Sequence, residues 1–543
     1  MTERSPDADN DKAPTAEAGS ASPDGGSRWL LAMTCLAAVL ITLDITVVNV
    51  ALPQVAADLD AQLGDLQWVV NGYTLMFAAL LLPAGSISDR IGRRPVFLVG
   101  VAVFTLASLV CGAAPSVGWL IAGRAIQGVG GALVLSTALA LIAGAFTGRA
   151  RQSAIGAFSA AGGAAAAMGP LIGGLVVDGL DWRWIFYLNL PVCGFVIVGM
   201  LLRVRENADV QAVGSAGRRF DMVGTVLAVA ALLGINYGLV AGPEDGWTEA
   251  GTVAPLVGGA VLIAGFVWWE WRLKDRAMFD IRLMAIPSFS GAILLSFVCR
   301  VISFGVLPYL ILWLSGALGY SPLDTGLRLL AMTVPIMLVA PLSAVIQKLM
   351  PVQVVMALGT ALVGVGLFTL VGMGPGDAWT TALPGLVLMG VGGAIVFPPL
   401  MGLAVDVVAP ERAGMASGMT NTFFPLGTAS GVAVLGALFS ARIGDGLSSA
   451  ELTELGVPSA AQDGVREAVS SGQFEQLAQG LPPAAREGVL EAARGALTDG
   501  LAQISLIAGV VAMVGAVVAL VLIRGKDRLA VAVPEEQAAE APA

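Results

Sequence analysis

Apolar stretches of about twenty residues alternate with short polar loops along most of this chain. A helix needs about 20 mostly apolar residues to cross the hydrocarbon core of a bilayer. The pattern therefore predicts fourteen membrane-spanning helices. They lie near residues 29–52, 66–87, 96–114, 117–141, 153–177, 184–202, 222–241, 252–271, 289–314, 327–347, 353–373, 381–406, 418–440 and 501–523. The stretch at 289–314 is long enough to be tilted or broken.

Composition agrees with a lipid environment. Of the 543 residues, 56% are hydrophobic and only 13% are charged, and the mean hydropathy is +0.82, whereas soluble domains are about a quarter charged. Much of the net charge of −10 lies in the two tails and one long loop. No basic face exists for a nucleic acid. The polar segments 1–28 and 524–543 are predicted to be disordered tails.

Cysteine and histidine usage limits the available chemistry. Each of the four cysteines lies in an apolar run, which favours small buried side chains over disulfides or metal ligands. These are Cys35, Cys111, Cys193 and Cys299. Histidine is absent, so any proton chemistry must use carboxylates. We expect no cofactor and no metal, and the chain has no Gly-x-x-x-x-Gly-Lys-Ser/Thr loop for ATP.

Basic residues are concentrated in alternate loops. They are Arg90, Arg93, Arg94, Arg149, Arg151, Arg203, Arg205, Arg218, Arg219, Arg272, Lys274, Arg276, Arg282, Lys348, Arg412, Arg524, Lys526 and Arg528. The short loops between these contain almost no Lys or Arg. Because basic loops stay in the cytoplasm, both termini are predicted to be cytoplasmic and the number of spans to be even.

One long loop, residues 442–500, is predicted on the external side. Two Ala-rich, charged stretches flank the sequence Leu-Pro-Pro at 481–483. The second stretch places apolar side chains on one helical face: Val489, Leu490, Ala493 and Leu497. We expect a helical hairpin over the external mouth, the alternative being a disordered loop.

Asp44 is the one carboxylate predicted to lie deep within a span. A buried charge costs a few kcal/mol even on the most lenient scale. Counted along their spans, Asp44 and Arg124 both lie roughly 10–12 Å below the external surface, at 1.5 Å per residue. An ion pair is therefore feasible. A nearby arginine favours the charged carboxylate and burial favours the neutral one, so a moving partner could switch a proton on and off. The alternative is a permanent structural ion pair.

Arg300 lies close to the midplane of the ninth span, with no acid predicted at that depth. Two interpretations remain open: contact with carbonyls at a helix end, or exposure to a cavity and its substrate. If Arg124 balances Asp44, one positive charge remains, which would favour anionic, zwitterionic or neutral polar substrates over lipophilic cations.

The loop between the second and third spans reads GSISDRIGRR at 85–94. Gly85 and Gly92 allow close helix contact and a sharp turn, and Asp89 can pair with an arginine or a helix end. Together with Arg90, Arg93 and Arg94, these residues could form a latch between two bundles, or the arginines could only set the topology. The ten-residue pattern resembles the cytoplasmic signature of the major facilitator superfamily.

Three further motifs agree with that resemblance. Residues 43–53 (LDITVVNVALP) resemble the first-helix motif of the fourteen-helix drug:proton antiporters, and residues 124–132 (RAIQGVGGA) match their fourth-helix motif. Residues 169–174 (GPLIGG) are similar to the antiporter motif on the fifth helix, with Gly169, Pro170, Gly173 and Gly174 at its key positions. Packing is the default interpretation of these glycines, and Pro170 would mark a bend.

The resemblance implies an all-α major facilitator fold with two six-helix bundles and two extra central helices. The bundles would comprise residues 29–202 and 289–523, with the extra helices in 203–288 and a substrate cavity at the midplane. Polar residues expected to line that cavity are Asn49, Asn71, Gln127 and Arg300. The charged loop has no clear counterpart in the second half, because the segment near 347–351 is degenerate.

The expected function is proton-coupled export of drugs, antibiotics or a related secondary metabolite by a monomer in the cell membrane. The expected partners are a small-molecule substrate, protons and the lipid bilayer. The first alternative is a proton-coupled nutrient importer on the same scaffold. The second is a membrane enzyme or sensor, but the sequence lacks the polar catalytic cluster or folded extramembrane domain that these would need.

Overall fold

The computed structural model describes residues 25–146, 148–204, 221–273, 281–408 and 413–527. Its α-helices are α1 (Gly25–Leu59), α2 (Leu63–Ile91), α3 (Arg93–Gly112), α4 (Val117–Ala145), α5 (Gly148–Gly179), α6 (Trp184–Tyr187), α7 (Asn189–Arg203), α8 (Met222–Asp245), α9 (Ala250–Leu273), α10 (Pro287–Phe304), α11 (Leu307–Leu312), α12 (Pro322–Leu349), α13 (Val352–Thr369), α14 (Leu383–Asp406), α15 (Ala413–Gly446), α16 (Ser449–Glu454), α17 (Gln462–Ser470), α18 (Phe474–Gly480) and α19 (Pro483–Leu522). A π-helix follows α11 at Trp313–Ala317. Short 3₁₀ helices lie at Ile281–Ala285, Trp379–Thr381, Ser459–Ala461 and Gly525–Asp527.

The all-helical prediction is confirmed, but the number of spans is not matched fully. Twelve helices of the described residues are long and apolar enough to cross a membrane, or thirteen if the bent α5 is one span. The predicted second span, α2, is not among them, although it has 29 residues. The two halves of α5, Ser153–Ala165 and Met168–Gly179, meet at 46°. Pro170 explains this bend, because a proline lacks the N–H that would bond to the preceding turn.

The helices pack into two groups. Helices α1 to α7 pack chiefly on one another and are called the N bundle; α10 to α15 with α19 are called the C bundle. Helices α8 and α9 pair with each other, and α8 contacts both α2 and α15, at the junction of the bundles. The disordered tails of the prediction, 1–28 and 524–543, lie largely outside the described residues.

The predicted external loop is helical, and its extent differs from the prediction. Helix α15 runs to Gly446 and α19 begins at Pro483, so the segment between them, residues 447–482, is shorter than 442–500. It contains α16, α17 and α18, and we call it the cap segment. The second arm of the expected hairpin is the first part of α19 itself. Its predicted apolar face is present, since Val489, Ala493 and Leu497 are buried.

The cap segment covers one end of the bundles, which we call the cap end; the opposite end, with the basic loops, is the basic end. Leu477 and Leu481 are buried in a core cluster with residues of the C bundle. Gln473 Nε2 donates to the carbonyl of Ala61, 3.0 Å away, in the α1–α2 turn of the N bundle. The cap segment therefore contacts both bundles.

Hydrophobic cores show how the bundles meet. At the basic end, one cluster contains only residues between 30 and 204, and another only residues between 283 and 523. At the cap end the clusters mix. Val50 and Leu63 of the N bundle lie in the C-bundle core, and Val432 of the C bundle lies in an N-bundle core. The two bundles are therefore closed against each other at the cap end, while their described cores at the basic end are separate.

Candidate functional site

Asp44 on α1 and Arg124 on α4 form an ion pair inside the N bundle. The side chain of Asp44 is 0% exposed and that of Arg124 is 1% exposed. Arg124 Nη1 donates to Asp44 Oδ2. The contact expected from equal depth is present, while the role of the pair in proton coupling stays a prediction.

Polar side chains from α3, α4 and α7 and a backbone carbonyl of α2 support this ion pair. Arg124 donates from Nε to the carbonyl of Val69 at 3.1 Å and from Nη1 to Gln127 Oε1 at 2.9 Å. Gln127 Nε2 lies 2.8 Å from Ser108 Oγ and 3.4 Å from Asp44 Oδ1. Asn189 Nδ2 lies 3.3 Å from both Asp44 Oδ1 and Ser108 Oγ. Asp44 therefore keeps amide donors even if Arg124 moves, and Arg124 keeps carbonyl and amide acceptors.

Two of these residues were missed from the sequence. Ser108 and Asn189 are polar positions within apolar spans three and six, and that isolation was the available signal. Gln127, by contrast, was expected to line the cavity. Its side chain is buried within the ion-pair network, because Arg124 lies one helical turn before it on α4. Its place in a substrate cavity stays a prediction.

Aromatic rings cover the guanidinium group of Arg124. Its carbon lies 4.5 Å from the ring centre of Tyr73 and 6.0 Å from that of Phe186, distances typical of cation–π contacts. The Tyr73 hydroxyl is buried without a hydrogen-bond partner. The ion pair thus lies in a buried, largely aromatic environment, where charge interactions are strong.

The glycines of α5 bring it close to two different helices. A Cβ built on Gly169 would overlap Thr46 Oγ1, and one on Gly173 would lie 3.0 Å from the carbonyl oxygen of Val47. Both contacts are on α1, within three residues of Asp44. A Cβ on Gly174 would lie 2.5 Å from the carbonyl oxygen of Pro322, on α12 of the C bundle.

The contact between α5 and α12 is reciprocal. A Cβ built on Gly326 of α12 would overlap the carbonyl oxygen of Pro170. The GPLIGG segment therefore packs backbone to backbone on α1 and on the opposite bundle at the same time. This is the packing role expected for these glycines.

The GSISDRIGRR segment, predicted as a loop, is helical except for Gly92, since α2 runs to Ile91 and α3 begins at Arg93. The side chains of Asp89 and Arg90 lie outside the described residues. Gly92 links α2 and α3 with φ of 109°, a conformation that favours glycine. Gly85 has open space where a Cβ would lie. Arg93 Nη1 donates to the carbonyl of Ala140 at 3.0 Å, and Arg94 Nη2 to that of Met200 at 3.0 Å.

Both of those carbonyl groups belong to the N bundle, to α4 and α7. Arg94 also meets the last turn of α7, where the helix dipole favours a cation. These two bonds tie the start of α3 to its own bundle, and the expected latch between the bundles stays a prediction.

The expected cavity residues Asn49 and Asn71 are buried. Asn49 Nδ2 donates to the carbonyl of Ile45 at 3.0 Å, and its Oδ1 has no partner. Asn71 is 0% exposed, and neither its Nδ2 nor its Oδ1 has a hydrogen-bond partner. Unpaired amide groups of this kind are costly unless water or a ligand meets them. Arg300 lies apart, in the C bundle.

A second buried acid was not expected. Glu270, near the end of α9, is 1% exposed, and it lies beside Asp221 at the start of α8, since a Cβ built on Gly224 would approach both carboxylates. The burial of Glu270 was not predicted because the residue lies near the end of its apolar stretch, where acids are usually exposed. No group of three or more His, Cys, Asp or Glu able to hold a metal lies within the described residues.

A helical membrane protein of two packed bundles, with a buried carboxylate–arginine pair in one of them, has the architecture of a secondary transporter. The sequence model of the family described as "Major Facilitator Superfamily" matches residues 34–432 of this chain. The chain belongs to that superfamily, as the motifs predicted.

Similar proteins are resistance and export proteins. The "Multidrug resistance protein Stp" of Mycobacterium tuberculosis is 36% identical over 414 residues, covering 76% of this chain and 75% of the relative. The "Tetracenomycin C resistance and export protein" of Streptomyces glaucescens is 32% identical over 513 residues, covering 91% of each. These relatives support an efflux transporter.

Among solved structures, a bacterial homolog of the human lysosomal transporter Spinster, in an inward-facing and unoccupied conformation, is similar in fold. Its TM-score is 0.63 at 17% identity, and the match covers 94% of this chain and 100% of that one.

Proposed function

We propose that this protein exports small molecules across the cell membrane in exchange for protons, by alternating access. Export is supported by the resistance and export proteins that it resembles and by the GPLIGG segment of α5. No observation favours import. We further propose that it works as a monomer, with both termini in the cytoplasm, and that it is not an enzyme.

The buried pair of Asp44 and Arg124 carries the proposal of proton coupling. With Asp44 ionised, the two charges hold α1 and α4 together. A proton on Asp44 removes that attraction, and Arg124 then retains the carbonyl of Val69 and Gln127 Oε1 as acceptors. Arg124 therefore keeps hydrogen-bond acceptors when Asp44 is protonated, so Asp44 can alternate between its charged and neutral forms.

Coupling to transport requires a connection from Asp44 to the bundle interface. Gly169 and Gly173 place α5 against α1 beside Asp44, and Gly174 places the same helix against α12. A shift of α1 on protonation would therefore reach the closed cap end through direct backbone contact.

Asp44→Asn tests this function. In proteoliposomes with an imposed pH gradient and tetracenomycin C as the probe, we expect accumulation driven by the gradient to be lost. Exchange of the probe without a gradient should persist, because the asparagine side chain mimics the neutral carboxyl group. Asp178→Asn, which changes an exposed acid at the end of α5, is the matched control.

Breaking a buried ion pair can cost about 3–5 kcal/mol of stability, so thermal unfolding of each variant must be measured in parallel. Gradient-driven accumulation at the wild-type rate in Asp44→Asn would rule out Asp44 as the proton carrier. If the variant does not fold, the wild-type protein decides: accumulation that does not respond to the pH gradient contradicts proton exchange.

A further inference from the structure

Arg300 of α10 lies among three phenylalanine rings. The carbon of its guanidinium group is 4.2 Å from the ring centre of Phe304, 4.8 Å from that of Phe424 and 5.4 Å from that of Phe397. These rings come from α10, α15 and α14, and Phe397 contacts both of the others with ring centres 6.3 Å apart. Because three helices contribute, the group lies inside the C bundle rather than on its lipid face.

No carboxylate balances this arginine among the described residues. Its Nε is buried without a hydrogen-bond partner, although a guanidinium group carries five N–H donors. Phenylalanine faces attract a cation but cannot accept these N–H bonds as an oxygen does. An unmet donor of a charged group, such as this Nε, is costly in a membrane interior.

Two other arginines within the bundles are paired with acids. Arg124 has Asp44, and Arg328 of α12 has Asp324 Oδ1 at 2.8 Å. Arg328 also contacts aromatic rings, those of Tyr320 and Trp379, so it combines aromatic contacts with an acidic partner. Arg300 keeps the aromatic contacts and lacks the acid.

We propose that Arg300, with Phe304, Phe397 and Phe424, forms a substrate subsite for the anionic group of aromatic compounds, such as carboxylates and phenolates. The proposal rests on the function proposed above and names its substrate class. A guanidinium group binds a carboxylate through two parallel N–H bonds. The ring system of the substrate would pack on the phenylalanine side chains, at the edge-to-face or offset geometry that aromatic groups prefer.

Charge balance across the two bundles supports the same class. Asp44 and Arg124 neutralise each other in the N bundle, whereas Arg300, inside the C bundle, has no ionised partner among the described residues. The field from that charge is weakly screened in a low-dielectric interior. An anion would neutralise it, and a lipophilic cation would be repelled.

Three probes with the same ring but different charge test the subsite: naphthylacetate, naphthylethanol and naphthylmethyl-trimethylammonium. Their binding to the purified full-length protein in nanodiscs is measured by scintillation proximity, with empty nanodiscs subtracted. In the wild type we expect the carboxylate to bind at least about tenfold more tightly than the ammonium probe, the effect of one charge-assisted hydrogen-bonding partner.

Arg300→Gln should lower the affinity for naphthylacetate by about tenfold or more and change that for naphthylethanol by less than about threefold. Arg300→Lys should retain a weaker preference for the anion, because lysine keeps the charge without the planar fork. Arg328→Gln is the matched control and should leave the order of the three probes unchanged.

The proposal is wrong if the ammonium probe binds the wild type as tightly as the carboxylate, or if Arg300→Gln leaves the ratio of carboxylate to alcohol affinity unchanged. An unchanged ratio would mean that Arg300 has a structural role and is stabilised by the phenylalanine rings alone. If Arg300→Gln does not fold, the wild type and Arg300→Lys decide. Binding does not depend on proton exchange, so failure of the Asp44→Asn test and failure of this one are distinguishable.

Discussion

Gly174→Ala should open the cap end of the protein. In the present conformation a Cβ on Gly174 would lie 2.5 Å from the carbonyl oxygen of Pro322, 2.9 Å from Leu323 Cα and 3.0 Å from the carbonyl carbon of Pro322. All three atoms belong to the backbone of α12, so no side chain can rotate away. The two helices, and with them the two bundles, must separate.

The size of the effect follows from that geometry. Ordinary contact begins near 3.4 Å, so α5 and α12 must move apart by about 0.9 Å at this point. Overpacking of this kind costs about 1–3 kcal/mol. A conformation in which the cap end is open has no such cost, so the ratio of open to closed molecules should rise about 5–150-fold.

Double electron–electron resonance can measure this ratio. Spin labels at Asp178→Cys and Ala378→Cys, which are exposed positions of the N and C bundles near the cap end, report the opening as a longer distance. The four native cysteines are replaced beforehand. Gly163→Ala is the control, since the same substitution on the same helix meets no atom within 4 Å.

Two results would refute the reasoning. One is a distance distribution in Gly174→Ala that matches the Gly163→Ala control. The other is failure of Gly326→Ala to act in the same direction, because that residue makes the reciprocal contact with the carbonyl oxygen of Pro170. If Gly174→Ala and Gly326→Ala both lengthen the distance and Gly163→Ala does not, the opening is caused by the contact between α5 and α12.

Two further predictions concern residues that the sequence did not single out. Asn189→Ala should slow gradient-driven export several-fold without abolishing it, because Asp44 loses one amide donor and keeps Arg124 and Gln127; wild-type rates in the proteoliposome assay would contradict this. Gln473→Ala removes the hydrogen bond from the cap segment to Ala61 and should favour the conformation with an open cap end by about 1 kcal/mol or less. The same spin labels measure this change, with Gln479→Ala, at an exposed position, as the control. An unchanged distance distribution would mean that the cap segment does not restrain the bundles.

The helices and the ion pair could be predicted because each has a local cause. The length of an apolar stretch predicts a membrane span, and the equal depth of Asp44 and Arg124 in their spans predicted their contact. The direction of side chains around each helix has no such signal. The contact of Gln127 with the ion pair was therefore not predicted, and Asn189 was missed, although it contacts the same carboxylate.

The cap segment shows a second limit of the sequence. The apolar face that follows it, at Val489, Ala493 and Leu497, was readable from helical periodicity. The sequence did not predict that this helix continues unbroken into the last span, because the polar residues before Gly500 lower the local hydropathy below that of a membrane span. Burial of those polar turns depends on contacts with other helices, such as the bond from Trp313 Nε1 to Thr498 Oγ1 at 3.1 Å.

Glycine spacing explains why the ion pair and the bundle interface can act together. Side chains can absorb small shifts between helices by changing rotamer, but backbone contacts cannot. Gly169 and Gly173 present no side chain of α5 to α1, and Gly173 lies against the backbone carbonyl of Val47. Gly174 presents none to α12 and lies against the backbone of Pro322 and Leu323. Under the proposed proton coupling, a displacement of α1 that follows a change of charge on Asp44 is expected to move α5 and to alter its contact with α12. The bend before Pro170 lets the two halves of α5 respond separately, so the half at the cap end can follow the bundle interface while the half at the basic end stays packed.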